Sequence, residues 1–292
     1  MPPESENPLQ LLTAARVVVV AGKGGVGKTT VTAVIAHAAA SDGRRVLAVE
    51  LDGKDTLDSL LPDVDVMHIS APDALDEYLR EHGFARIAKR LNRTGVIDVV
   101  GTAAPGIDDI VVLGKIKQIE RSGEYDVIVV DGPAAGHAIT FLTSAAGLSD
   151  TARGGPVRHQ ADEVQELLHD AERCHVVLVT LPETTPVNEV VETAFALEED
   201  VGVQLGPVVV NALDHGIEVP SGAEIAGREL PAEVVAAAEF RRSRRTMEDE
   251  ELSRLTTELP LTQVRLPAVP VAGLTDDDIG RLAESLTSDG SP

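Results

Sequence analysis

Residues 21–30 read AGKGGVGKTT, and within them Gly22-Lys23-Gly24-Gly25-Val26-Gly27-Lys28-Thr29 satisfies the pattern G-x-x-x-x-G-K-[ST]. The stretch follows an apolar run at 16–21 and opens a segment of helical character. That order predicts a strand, a phosphate-binding loop and a helix. Glycines at 22, 24, 25 and 27 free the backbone to aim successive N–H groups at an anion, and the helix N-terminus adds its positive dipole end. The pattern assigns Lys28 to the β- and γ-phosphates and Thr29 to Mg²⁺, with Val26 and Thr30 completing the loop around the nucleotide. It does not account for Lys23.

Working outward, short Val/Ile/Leu-rich runs recur at 16–21, 45–51, 64–69, 125–131, 175–181, 207–211 and 263–266, with helical stretches between them. Several are apolar on both faces, as strands of a parallel sheet covered by helices are. The expected fold class is therefore α/β, a doubly wound, mostly parallel sheet of the P-loop type. Residues 13–286 read as one domain, with disordered tails at 1–12 and 287–292. Helical insertions are expected near 72–95, 138–172 and 231–257, the first two as a layer on one edge of the sheet. The apolar stripe Leu75, Tyr78, Leu79, Phe84, Ile87 and Leu91 runs close to helical spacing.

Composition removes several classes of function. The 292 residues carry a formal charge of −23, which repels nucleic acid and anionic lipid, so no nucleic-acid partner is expected. The cluster Arg241, Arg242, Arg244 and Arg245 is followed at once by Glu248, Asp249, Glu250 and Glu251, and reads as a solvated helix face. Only one cysteine is present, Cys174, which excludes a disulfide framework and a structural zinc site built from cysteines of one chain. It precedes an apolar run and is expected to be buried packing. The N-terminus lacks the pattern of a signal peptide, and no apolar run approaches membrane-spanning length; the expected location is cytoplasmic.

KGGVGKT, with its early lysine, is the deviant form of the phosphate loop. It resembles the dimeric ATPases that include the arsenite-pump ATPase, the tail-anchored-protein targeting ATPase, ParA and MinD. The resemblance implies that Lys23 crosses a dimer interface to the partner's phosphates, acting as an arginine finger does. It also implies ATP and Mg²⁺ as cofactors.

Further segments resemble the arsenite-pump and targeting branch of that family. Asp52 falls where the branch carries the aspartate of its first switch, D-P-A-H-x-L, although here only D-x-x-x-x-L is matched. Asp52 is the expected catalytic and metal-linked carboxylate, with Glu50 as runner-up. The segment Tyr125 to His137 resembles the second switch: Asp131 is expected to bind Mg²⁺ through water, and Gly136 to offer its N–H to the γ-phosphate. Residues 104–109 resemble its P-G-x-D-E segment, and Leu181-Pro182-Glu183 its I-P-E. Asn211, in a V-N match, is assigned to the adenine edge, and Pro267, in L-P-x-x-P, lies beside the base.

The departures limit the transfer of function. One cysteine cannot hold metalloid, the zinc-tying C-x-x-C is absent, and three methionines do not make a methionine-rich client groove. What is implied is a Mg²⁺-ATP-dependent dimeric ATPase acting on a protein client or partner. Homodimer and heterodimer with a related chain both stand, as does a weakly or non-hydrolysing subunit of such a heterodimer. A ParA/MinD-like positioning ATPase ranks below these, because the C-terminus LTDDDIGRLAESLTSDGSP is acidic.

Overall fold

The computed structural model describes residues 7–51, 55–81, 83, 106–151, 155–217, 220 and 231–287. In chain order the elements are α1 (Pro8–Leu12), β1 (Val17–Gly22), α2 (Lys28–Ser41), β2 (Val46–Leu51), α3 (Thr56–Leu60), β3 (Asp65–Ile69), α4 (Ala71–Glu81) and α5 (Ile107–Ser122). They continue with β4 (Val127–Ala134), α6 (Ala135–Thr151), α7 (Pro156–His169), β5 (Cys174–Thr180), α8 (Thr184–Ala196), β6 (Leu205–Leu213), α9 (Ala232–Glu258), β7 (Gln263–Pro267) and α10 (Asp276–Thr287).

Seven strands form one sheet in the order β3-β2-β4-β1-β5-β6-β7. Every pairing is parallel. The seven apolar runs of the sequence are these seven strands. Alternation along β1 explains the two-sided burial. Val17, Val19 and Ala21 enter one core, while Val18 and Val20 enter the other. Each such valine is buried at a gain of about 1.5–3 kcal/mol, so β1 anchors both layers.

Helices α1, α2, α3 and α10 supply the core beneath one face. Helices α5, α6, α7, α8 and the end of α9 cover the other. Of the expected insertion at 72–95, α4 is present through Glu81, with Leu75 buried and Tyr78 and Leu79 packed against the core. Phe84, Ile87 and Leu91 lie outside the described residues. The stretch 138–172 gives two helices, α6 and α7, and 231–257 gives α9.

Three boundaries depart from expectation. The N-terminal tail expected through residue 12 is instead ordered from residue 7. Asn7 Oδ1 accepts the Leu9 N–H at 2.9 Å, and Pro8 occupies the first turn of α1. Leu9 and Leu12 are then buried against α2, α10 and β6. One helical turn is too short to show a period in sequence; only the tertiary contacts stabilise it. Thr287, expected to open the C-terminal tail, is instead the last residue of α10.

The third difference lies at the end of β4. The run expected to end at residue 131 continues through Gly132, Pro133 and Ala134 directly into α6. A Cβ on Gly132 would lie 2.5 Å from the Val20 carbonyl oxygen. Glycine is therefore needed there for the close approach of β1 and β4, not for a bend.

Candidate active site

The sheet order places β1 between β4 and β5, so the chain leaves β1 toward one side and later crosses to the other. Ligands in open α/β sheets bind in the crevice formed at such a switch, beyond the carboxyl ends of the strands. The glycine loop occupies that position. Gly27 precedes α2 with φ +89°, a left-handed conformation that favours glycine, and no side chain caps the helix. The first-turn N–H groups of α2, which carries Lys28, Thr29 and Thr30, are thereby kept for an anion.

A cleft of about 710 Å³ opens on this loop. Gly24, Gly25, Gly27, Lys28, Thr29 and Asp131 all line it. Nothing approaches within 4 Å of where a Cβ would stand on Gly24 or Gly25, so their backbone faces open space. Lys28 Nζ donates to the Lys23 carbonyl at 3.2 Å, folding the side chain back over the loop. Thr29 Oγ1 donates to Asp131 Oδ2 at 2.7 Å, joining the first turn of α2 to β4. Asp131 is buried, and its register partners are Val20 on β1 and Glu50 on β2. A hydroxyl and a carboxylate held this way offer the hard oxygen set that Mg²⁺ takes. A buried anion beside them favours a cation. These residues fit the metal that the sequence implies.

Several predicted residues stand around the loop without lining the cleft. Val26 is buried in the core against α2, and its carbonyl accepts the Asn211 amide at 3.0 Å. Asn211 thus ties β6 to the loop, and a Cβ on Gly27 would lie 2.3 Å from its Nδ2. Gly22 ends β1 where a Cβ would lie 2.4 Å from the Val179 carbonyl oxygen. Pro267 ends β7 in register with Leu213. Gly136 is exposed in the first turn of α6, between Pro133 and His137, which both line the cleft. Asp52 lies outside the described residues.

Glu50 is wholly buried, and its carboxylate accepts the Thr56 N–H at 3.1 Å and the Leu57 N–H at 3.3 Å. It caps α3 from a distance, which favours a structural role over the water-activating one considered for it. Cys174 is buried, and burial pushes its thiol up to about 12, as a packing residue requires.

Sequence reasoning missed two features. Asp108 and Asp109, in the first turn of α5, line the same cleft as the glycine loop, a placement that the match at 104–109 did not assign. Gly106 precedes α5 at φ +86°, a left-handed start that favours glycine and sets both aspartates in the first turn. Lys23 does not line the cleft. Its Nζ lies 2.6 Å from Glu189 Oε1 on α8, a residue that no motif marks.

With this geometry established, relatives sharpen the assignment. A family model described as anion-transporting ATPase, of the ArsA type, matches residues 15–153, the span from β1 through α6. The ATPase BagA of Mycobacterium tuberculosis is 35% identical over 254 residues, covering 77% of this chain and 74% of its own length. The chain belongs to the ArsA-type family of ATP-hydrolysing enzymes. Within that family, an arsenical pump-driving ATPase of Escherichia coli is 32% identical over 184 residues, 61% of this chain and 31% of that protein. The ATPase GET3B of Arabidopsis thaliana is 24% identical over 325 residues, 88% of this chain and 77% of its own length. No helix among the described residues is long and apolar enough to cross a membrane.

Proposed function

We propose that this ArsA-type chain is a Mg²⁺-ATP-dependent ATPase that works as a dimer, closing on ATP and opening after hydrolysis, and that the motion serves a protein client or partner. The observation that carries this reading is the loop with two lysines. Lys28 turns inward over the cleft, whereas Lys23, at the loop's outer side, is 37% exposed.

Each residue has a distinct task in this reading. The N–H groups of Gly24, Gly25 and Gly27, with that of Gly136, orient the phosphates. Lys28 neutralises charge at the β- and γ-phosphates, and Lys23 does so from the partner chain. Thr29 and Asp131 hold Mg²⁺, which neutralises charge on the β- and γ-phosphate oxygens when bound. Asp52 orients the attacking water, and Asn211 and Pro267 flank the base. The cleft-lining Asp108 and Asp109 keep the unliganded cleft anionic, so a nucleotide enters it together with its metal.

A second reading rests on the departure of residues 52–57 from the branch's first switch: a subunit that binds ATP but needs a related chain for turnover. Phosphate release from Mg-ATP, measured over a range of protein concentrations, separates the two. A rate per chain that rises and saturates is expected of the self-sufficient dimer. Tight ATP binding without turnover would overturn it in favour of the heterodimer subunit.

A further inference from the structure

Strand register explains why Lys23 meets α8. Gly22 pairs with Val179 at the ends of β1 and β5, and only a short link, Leu181–Glu183, separates β5 from α8. The first residue beyond β1 therefore emerges beside α8. That helix is a firm platform. Val187 and Val190 are buried on either side of Glu189, and the Glu189 carbonyl accepts the Thr193 hydroxyl at 2.7 Å. Thr184 bonds Glu251, and Arg254 bonds Asn188, which pins α8 to α9.

The Lys23–Glu189 pair itself stabilises the fold little. Both side chains are 37% exposed, and ion pairs of that kind contribute about 0–1 kcal/mol. What the pair does is direct a long, flexible cation. An ammonium 2.6 Å from its own chain's carboxylate is drawn to that carboxylate until a stronger anion competes for it.

We infer that Glu189 is a positioning residue that holds Lys23 on its own protomer and sets a threshold for closure of the dimer. The inference rests on the dimeric reading above. To reach phosphates across an interface, Lys23 must leave Glu189. A triphosphate carries several charges against the single charge of a carboxylate, so a nucleotide-loaded partner wins the lysine and an empty one does not. A weak, exposed latch suits this task, because a buried pair would not release.

The test measures dimerisation directly, by sedimentation velocity with Mg²⁺ and a non-hydrolysable ATP analogue across protein concentrations. Glu189→Gln is expected to lower the half-dimerisation concentration by about two- to fivefold, the range for an exposed pair. Glu189→Asp should bring the midpoint back toward wild type. High salt should shrink the difference between wild type and Glu189→Gln, because it screens exposed charges. In a Lys23→Ala background, Glu189→Gln should have no further effect.

An unchanged or raised midpoint for Glu189→Gln, with wild type still dimerising on the analogue, overturns the latch and leaves the dimer intact. A shift that persists undiminished in the Lys23→Ala background also overturns it, since Glu189 would then act without the lysine. A wild type that stays monomeric at every concentration overturns the dimeric reading, and the latch with it.

Discussion

Lys23 and Lys28 are five positions apart in one loop, yet the fold turns them in opposite directions. Lys28 folds back onto the Lys23 carbonyl above the cleft, while Lys23 reaches outward to α8. Replacing Lys28 by Ala should abolish nucleotide binding in a fluorescent-ATP titration. Lys23→Ala should keep binding within about threefold and lose turnover by the ~10³-fold or more that a transferred cation supplies. Equal loss of binding in both would contradict that division. Gly27 makes a sharper test of the loop. A Cβ there would stand 2.3 Å from Asn211 Nδ2 at a φ of +89°. Gly27→Ala should therefore break the Asn211–Val26 tie and weaken ATP affinity at least tenfold. Asn211→Ala in the same chain should relieve the clash and restore part of the lost thermal stability, as melts would show.

The helical layer over the sheet face away from α2 is joined by a nearly buried cation. Lys117 on α5 has a side chain 7% exposed, and it bonds Glu163 on α7, which also takes Arg121. Burial alone would raise the Glu163 carboxyl, but bonds from Lys117 and Arg121 outweigh it and hold the group at about 2. A depressed folded value stabilises the protein above the ordinary glutamate range. That contribution fades as pH falls from about 4.5 toward about 2. Glu163→Gln should destabilise the protein by about 2–3 kcal/mol at pH 7, because Lys117 is left without its counter-ion. In urea melts at falling pH, the gap between the two proteins should narrow through that window. A gap independent of pH would place the stabilisation elsewhere. Neither residue stands out in sequence: α5 and α7 are separated by β4 and α6, and no local period predicts which of their charges meet.

Residues far apart in the chain complete the fold, and the N-terminus shows this most plainly. Leu9 and Leu12 fill a gap between α2, α10 and β6, and the His175 ring meets the Leu12 carbonyl at 3.0 Å. Deleting residues 1–12 should lower unfolding stability by about 3–6 kcal/mol, the sum expected for two fully buried leucines. Thermal melts of full-length and shortened protein would check this, and equal midpoints would contradict it.

Much of the framework was legible because its causes are local. A strand buried on both faces must be apolar throughout, so 16–21 and 175–181 announce themselves. A loop that cradles phosphate requires glycines and a lysine at set spacing, so residues 22–29 do as well. Those constraints act within a few residues of one another, and the amino-acid sequence by itself determined the α/β class, the seven strands and the phosphate loop. Tertiary structure decided what depends on the meeting of distant segments. It ordered α1, drew Glu50 into the cap of α3, placed Asp108 and Asp109 on the cleft and set Glu189 against Lys23. The physical reason is range: burial, ion pairing and backbone contact act over a few ångströms in space, and only the packed sheet brings positions 23 and 189 that close.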